Sequence, residues 1–337
     1  MHEKKRDKGK RLSKVFIIIG IIVVFIVGGA IGYGYMVLNN VKQTKLDKDD
    51  LGITPNPSST PANASDDDSS QAVVSDESVV NIALFGIDSR NQEQRGRSDT
   101  MMIASIDKKN KVVKLTSLMR DMYVTIPGRG GDRMNHAYAY GGPALAIKTI
   151  NTNFKMDISD YVTVDFFDLP NIIDELGGVD INVKADEIKL LNSYLSEVNR
   201  LNGGTPSPNV TKAGMQKLDG RQALAYSRIR YVGNGDYERT ERQRRVMEAL
   251  LRNIKSISPV KLPGTVANIL RYCETSLSKP KIVELGMAVL SFNDNPMRQY
   301  RLPVDGTFKS RSIRGMAVLV PDIDKNTELL HKFIYGG

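Results

Sequence analysis

Cysteine and histidine are nearly missing from this chain of 337 residues. With Cys273 as the one cysteine, no intramolecular disulfide can form, and the fold must rest on its core. A solitary cysteine of this kind reads as a small buried apolar residue. His2, His136 and His331 lie far apart and show neither metalloprotease nor zinc spacing. No Ser/His/Asp or Cys/His arrangement is legible, which sets aside the usual nucleophilic hydrolases. No internal repeat is evident. Lysine, used freely elsewhere, is absent from YSRIRYVGNGDYERTERQRR (226–245), where every cation is an arginine.

Apolar residues make up 41% and charged residues 25% of the chain, ordinary values for a globular protein of one or two domains. The net charge of +9 is unevenly spread. The segment MHEKKRDKGKRLSK (1–14) carries about +5 and everything after it about +4, which argues against nucleic acid as a partner of the folded part. Residues 15–38, VFIIIGIIVVFIVGGAIGYGYMVL, hold no charge. About 24 residues at roughly 1.5 Å each span a hydrocarbon core with some tilt. A secretory signal would have a shorter apolar stretch, although the GGAIG run keeps cleavage open as an alternative. The basic flank is N-terminal, so the expectation is a single-pass cell-membrane protein with residues 1–14 in the cytoplasm and all beyond residue 40 outside.

Residues 39–78, rich in Ser, Pro, Asn and Asp, are expected to be a flexible extracytoplasmic tether, leaving 79–337 as the folded domain. Strands are expected at 79–87, 100–107 and 111–119, the last two joined by a hairpin turn at 108–110. Helices are expected at 141–154, 168–178 and 185–201, strands at 161–166 and 179–183, and a long helix from Asp236 to Ile257. One or two further helices should follow to about residue 291, then strands at 298–303 and 312–320 and a terminal helix from Asp322. The alternation argues for an α/β fold: a mixed central sheet flanked by helices on both sides and preceded by one transmembrane helix.

Several strand ends deliver acids and arginines: Asp88 and Arg90, Arg97 and Asp99, Arg120 and Asp121. Antiparallel pairing of the first two strands would bring Asp88 and Asp99 together. Two carboxylates without His or Cys suit a hard divalent cation, Mg²⁺ or in its place Mn²⁺. The alternative is that each aspartate merely caps a turn or helix. In the long helix, with Asp236 as a candidate N-cap, the apolar stripe Val246, Met247, Leu250, Leu251 and Ile254 extends backwards onto Gln243 and Arg239, with Arg242 at its edge. Glu241, Arg244, Arg245, Glu248 and Arg252 fall elsewhere and read as a solvated, salt-bridged face. An inward arginine at a helix N-terminus calls for an anion, and Arg228 and Arg230, two apart, share a face if extended. The guanidinium fork grips phosphate with two parallel hydrogen bonds, so the cluster points to an oriented phosphate; a solvated face paired with Glu238 and Glu241 is the rival explanation.

The chain resembles the LytR–CpsA–Psr (LCP) cell-wall ligases of Gram-positive bacteria. The resemblance is carried by LFGIDSR (84–90), RSDTMMIASID (97–107), SLMRDMYVTIPG (117–128), NHAYAYGG (135–142), DELGGVDI (174–181), LDGRQALAYSRIR (218–230) and DYERTERQ (236–243). It implies an αβα domain that transfers a phosphoglycan (teichoic acid, capsule or a similar polymer) from a polyprenyl-pyrophosphate donor to the muramic acid C6 hydroxyl of peptidoglycan. It also implies Mg²⁺ ligands at Asp88 and Asp99 and pyrophosphate-binding arginines at Arg90, Arg120, Arg228, Arg230 and Arg239. Gln243 completes the motif and Asp236 lies nearby. Met119 departs from the resemblance, which has proline before the Arg-Asp pair. Transfer then reads as in-line phosphoryl displacement, with Asp88 or Asp236 as the base for the attacking hydroxyl. Two rivals are hydrolysis of the pyrophosphate at the same site and a membrane-anchored regulator or binding protein without catalysis.

Overall fold

A computed structural model describes residues 42–53, 76–88, 97–233, 235–258, 261–292 and 296–336; the basic tail and the expected span at 15–38 lie outside them. Among the described residues no helix is long and apolar enough to cross a membrane. The strands are β1 (Lys42–Gln43), β2 (Val79–Asp88), β3 (Arg97–Asp107), β4 (Val112–Leu118), β5 (Tyr123–Ile126), β6 (Gly130–Arg133), β7 (Asp160–Asp165), β8 (Val179–Val183), β9 (Gly214–Leu218), β10 (Cys273–Thr275), β11 (Arg298–Leu302), β12 (Phe308–Ile313) and β13 (Met316–Pro321). The helices are α1 (Met134–Phe154), α2 (Leu169–Glu175), α3 (Ile188–Asn202), α4 (Gly220–Ser227), α5 (Asp236–Ser256), α6 (Leu262–Leu270), α7 (Lys279–Ser291) and α8 (Ile323–Tyr335).

Seven strands form the central sheet in the order β1-β10-β7-β2-β3-β4-β11. The expected hairpin between β3 and β4 is antiparallel, as is β2 with β3, while β7 runs parallel to β2 and β11 parallel to β4. The sheet is therefore mixed. Alternation along β2 and β3 divides the core. Ala83, Phe85, Met101 and Ile103 pack with α1 and α8 on one face. Ile82 and Ile106 pack with α7, and Met102 with Met247 and Leu251 of α5, on the other. Burial on both faces explains why these strands read as near-continuous apolar runs.

A second core gathers α2, α3, α4, the antiparallel β8–β9 pair and α5. Its packing depends on one close approach. A Cβ at Gly220 would stand 2.1 Å from the carbonyl oxygen of Pro170, so only glycine lets α4 start against α2. The expected strand at 179–183 is β8, but it pairs with β9 outside the central sheet.

Three expectations need correction. The tether does not run through 39–78: β1 pairs with β10, and Leu51 is buried against α1, where Asn151 Nδ2 donates to its carbonyl. The polar composition of this stretch hid the few residues that join the sheet. The expected strand at 312–320 is the second half of a hairpin, β12 turning at Arg314 and Gly315, both with positive φ, into β13. The helix expected at 141–154 begins seven residues earlier and is kinked at Gly141–Gly142.

Candidate active site

The register between β2 and β3 shifts near their open ends: Gly86 stands opposite Thr100 but Ile87 opposite Ser98. Asp99 is the extra residue of a β-bulge, a device that bends a strand and re-aims its side chain. Glycine at 86 allows this, since a Cβ there would lie 3.0 Å from Thr100 Cβ. Asp88 closes β2 opposite Arg97, adjoining the bulge. The Asp88 side chain and the whole of Arg90 fall outside the described residues.

Three arginines approach the bulge, each from a different element, and a fourth lines the same cavity. Arg120, just after β4, donates from Nη1 to Asp99 Oδ1 at 3.1 Å, and its Nε lies 3.4 Å from Asp121 Oδ2 and 3.6 Å from Asp236 Oδ2. Arg230 places Nη2 3.8 Å from Asp99 Oδ2 and Nε 3.9 Å from Asp236 Oδ1. Arg239, in the first turn of α5, donates to Asp236 Oδ2 at 2.9 Å and to the Asp99 carbonyl at 3.4 Å. Arg228 stands apart: its guanidinium lies over the rings of Phe166 and Tyr194 and 3.1 Å from Glu197 Oε2.

Asp236 is not the helix cap that its position suggests. Gly235 holds that place with φ 65°, and Asp236 is the first helical residue, its carboxylate turned to the arginines. Arg228 likewise ends α4 in a helical conformation instead of sitting in an extended segment, yet it and Arg230 line the same cavity.

Burial dominates the electrostatics. It pushes the Arg239 guanidinium down to about 10, with Asp236 opposing and Arg120 and Arg230 adding to the depression. At Arg120 burial also pulls downward, but Asp236, Asp121 and Asp99 together outweigh it and hold the guanidinium above its ordinary value. Nε of Arg239 is buried without a hydrogen-bond acceptor; that of Arg120 also makes no hydrogen bond, but it stays within ion-pair reach of Asp121 and Asp236. A buried charged donor in that condition is costly unless an anion meets it.

The cluster opens onto a cavity of about 1000 Å³. Its apolar wall follows the strands inward through Leu84, Met102, Val162 and Val164 and is completed by Leu224 and Met247. Arg120, Arg228, Arg230, Arg239 and Gln243 line the same space, with Asp99 among them. The wall residues read in the sequence only as core, because a lined cavity and a filled one leave the same apolar pattern. Asp121, read in the sequence only as a strand-end acid beside Arg120, is held by Arg133, which donates to it from Nη1 at 3.2 Å; Arg133 was missed, as were Tyr194 and Glu197 on α3.

The arginine-rich stretch divides by role. Arg242 is fully buried, donating to Glu187 Oε1 at 2.8 Å and to the carbonyls of Ile229 and Val232. It braces the loop that carries Arg230. Arg244, expected on the solvated face, instead donates to Ser117 Oγ and Gln299 Oε1, tying α5 to the edge of the sheet. Arg245 pairs with Glu241 as expected and also donates to the Tyr226 hydroxyl.

The LytR_cpsA_psr family model matches residues 47–333. The chain belongs to the LytR_cpsA_psr family. Among relatives in this family, the polyisoprenyl-teichoic acid–peptidoglycan teichoic acid transferase TagU of Enterococcus faecalis is 36% identical over 57% of this chain, a match that spans 59% of its own length. TagU of Bacillus mycoides is 30% identical over 87% of this chain and 88% of its own. The regulatory protein MsrR of Staphylococcus aureus is 32% identical over 75% of this chain and 73% of its own. The solved structure of the family protein YwtF (TagT) with bound octaprenyl pyrophosphate lipid is 25% identical, with TM-score 0.57, over 77% of this chain and 91% of that one. TagT bound to LI-WTA is 26% identical, with TM-score 0.61, over 77% and 92%. These likenesses accord with the mixed α/β architecture.

Proposed function

We propose that this chain transfers a polyprenyl-pyrophosphate-linked glycopolymer to the muramic acid C6 hydroxyl of peptidoglycan. The observation that carries the reading is one continuous cavity with an apolar wall and an arginine cluster in which the buried Nε of Arg239 has no acceptor. An isoprenoid chain and its diphosphate need these two environments side by side. The family relatives named as teichoic acid transferases, and the relative holding octaprenyl pyrophosphate, support the same donor class.

In the transfer, the sugar hydroxyl oxygen forms a bond to the phosphorus that bears the glycan. The bond from that phosphorus to the bridging oxygen breaks, and polyprenyl phosphate leaves with the electron pair. Charge grows on the leaving phosphate and spreads over the equatorial oxygens, where Arg120, Arg230 and Arg239 can donate. Asp236, held among these arginines, is the described residue that would take the hydroxyl proton. Arg228, over two aromatic rings, would steady the diphosphate from the α3 side.

Asp99, together with Asp88, would hold Mg²⁺ or Mn²⁺. Their oxygen-only donors suit a hard cation that keeps water and phosphate oxygens as its other ligands, so no third protein ligand is needed; no group of three metal-ligating residues occurs among the described residues. When bound, the ion supplies charge neutralisation at the diphosphate. Residues 15–38 would anchor the domain outside the cell membrane.

The test uses the purified full chain with a lipid-linked teichoic acid precursor and peptidoglycan. Glycan attached to peptidoglycan, together with released polyprenyl phosphate, is the expected result. Equal release of polyprenyl phosphate with and without acceptor would replace transfer by hydrolysis.

A further inference from the structure

Two features lie at the same end of the central sheet. β2 and β7 run parallel, and their C-terminal ends deliver Ile87, Asp165 and Phe166 to the cavity. β10 runs antiparallel to β7, and β1 runs parallel to β10, with Lys42 opposite Glu274 and Glu274 opposite Thr163. The chain therefore enters β1 from the end of the sheet at which β7 leaves for the cavity.

The apolar segment ends at Leu38, and Lys42 is already paired into the sheet. Four Cα steps separate them, a reach of about 14 Å at full extension. A domain held so closely cannot turn its entry end away from the bilayer. Tyr231 stands at this same end, next to Arg230, whose guanidinium faces Asp99 on the bulge. Ile229, two residues before it, is fully buried, but Tyr231 is 81% exposed, the most exposed large apolar side chain among the described residues. A tyrosine with an apolar ring and a polar tip suits the headgroup region of a membrane. Lys42 and Arg271, both exposed, flank the entry point.

We propose that the arginine-cluster end of the domain rests on the bilayer surface, with Tyr231 seated among the lipid headgroups. This rests on the reading of residues 15–38 as a membrane span. It deepens the proposed function: the donor diphosphate would pass from headgroup level into the cavity without the lipid tail crossing open water. The opposite end of the domain, where Met287 of α7 is also well exposed, would face away.

The chain contains no tryptophan, so one substitution creates a single fluorophore. Full-length Tyr231→Trp and Met287→Trp variants are reconstituted into vesicles of phosphatidylglycerol and phosphatidylethanolamine, with and without brominated acyl chains. Bromolipid should quench the emission of Tyr231→Trp by about two-fold or more, as expected for a ring at headgroup depth, and leave Met287→Trp near its unquenched value. Equal quenching of the two, or stronger quenching of Met287→Trp, overturns the proposal. If the full chain fails to float with the vesicles, the anchor reading falls and this inference with it. The transfer assay is read separately: strong quenching of Tyr231→Trp with no glycan transfer would keep the docking face and discard the transferase reading.

Discussion

Asp99 and Arg120 form an ion pair at 3.1 Å that exists only because the β2–β3 register slips by one residue. The bulge presents the carboxylate at the edge of the cavity, and the strand end after β4 presents the guanidinium. One member is a ligand suited to a cation and the other a donor suited to a phosphate.

Replacing Asp99 by Asn keeps the side-chain shape and removes its charge. Glycopolymer transfer should fall by about 10²–10³-fold, and its dependence on added Mg²⁺ should flatten. The side chain is about one-third exposed, so the melting temperature should hardly move. A magnesium titration of initial rates, with a thermal melt alongside, checks both halves; an unaltered rate would remove Asp99 from the chemistry.

Arg239 is the most deeply buried arginine of the cluster, with 3% of its side chain exposed. Changing it to Met should leave thermal stability unchanged or slightly higher, because a desolvated cation is removed while Asp236 keeps Arg120 and Arg230 nearby. Affinity for polyprenyl pyrophosphate should drop by about 100-fold, the loss of a charge-assisted fork. Arg239→Lys, which keeps the charge but not the fork, should fall between. Calorimetric titration and melting curves on the three proteins decide it.

Arg242 and Glu187 behave differently, since both are fully buried. Glu187→Gln removes the fully buried counter-charge and leaves Arg242 only the partly buried Glu238, and should lower unfolding stability by about 3 kcal/mol. A double change to Arg242→Met and Glu187→Leu should recover much of that. Urea unfolding of Arg242→Met, Glu187→Leu and the double variant, monitored by circular dichroism, supplies the comparison, and full additivity of those two single changes would mean the pair is not coupled.

Burial pushes the Cys273 thiol up to about 12, with Asp168 adding to the shift. The folded state therefore holds its proton between the ordinary thiol value and about 12, where the unfolded chain has released it. This group's contribution to stability is intact below the ordinary value and fades as pH rises through that window. In native protein at pH 8.5, maleimide should label Cys273 far more slowly than in urea; equal labelling rates would show the site open.

Much of the fold was legible because periodicity reports burial. The strands at 79–87, 100–107 and 111–119, the helix at 185–201 and the long helix after Asp236 were all readable as such. What was not legible depends on partners far away in the chain. Nothing local separates β8, which pairs with β9, from a strand of the central sheet, or tells that Lys42 and Gln43 meet β10 in a polar stretch. Within the site, Asp99, Arg120, Arg230, Arg239 and Asp236 do converge, and Arg228 and Gln243 share their cavity. The helical wheel put Arg239 on the inward stripe and Arg242 at its edge, but it could not tell that Arg242 is fully buried on Glu187, 55 residues earlier.

The three arginines nearest the bulge already hold Asp99 and Asp236, so no ligand arrives at bare cations. An incoming anion must displace carboxylates that remain tethered beside it and compete to return. On the proposed function, a diphosphate escorted by a divalent ion would win that exchange most readily, because the ion would give the evicted carboxylate a new place to bind.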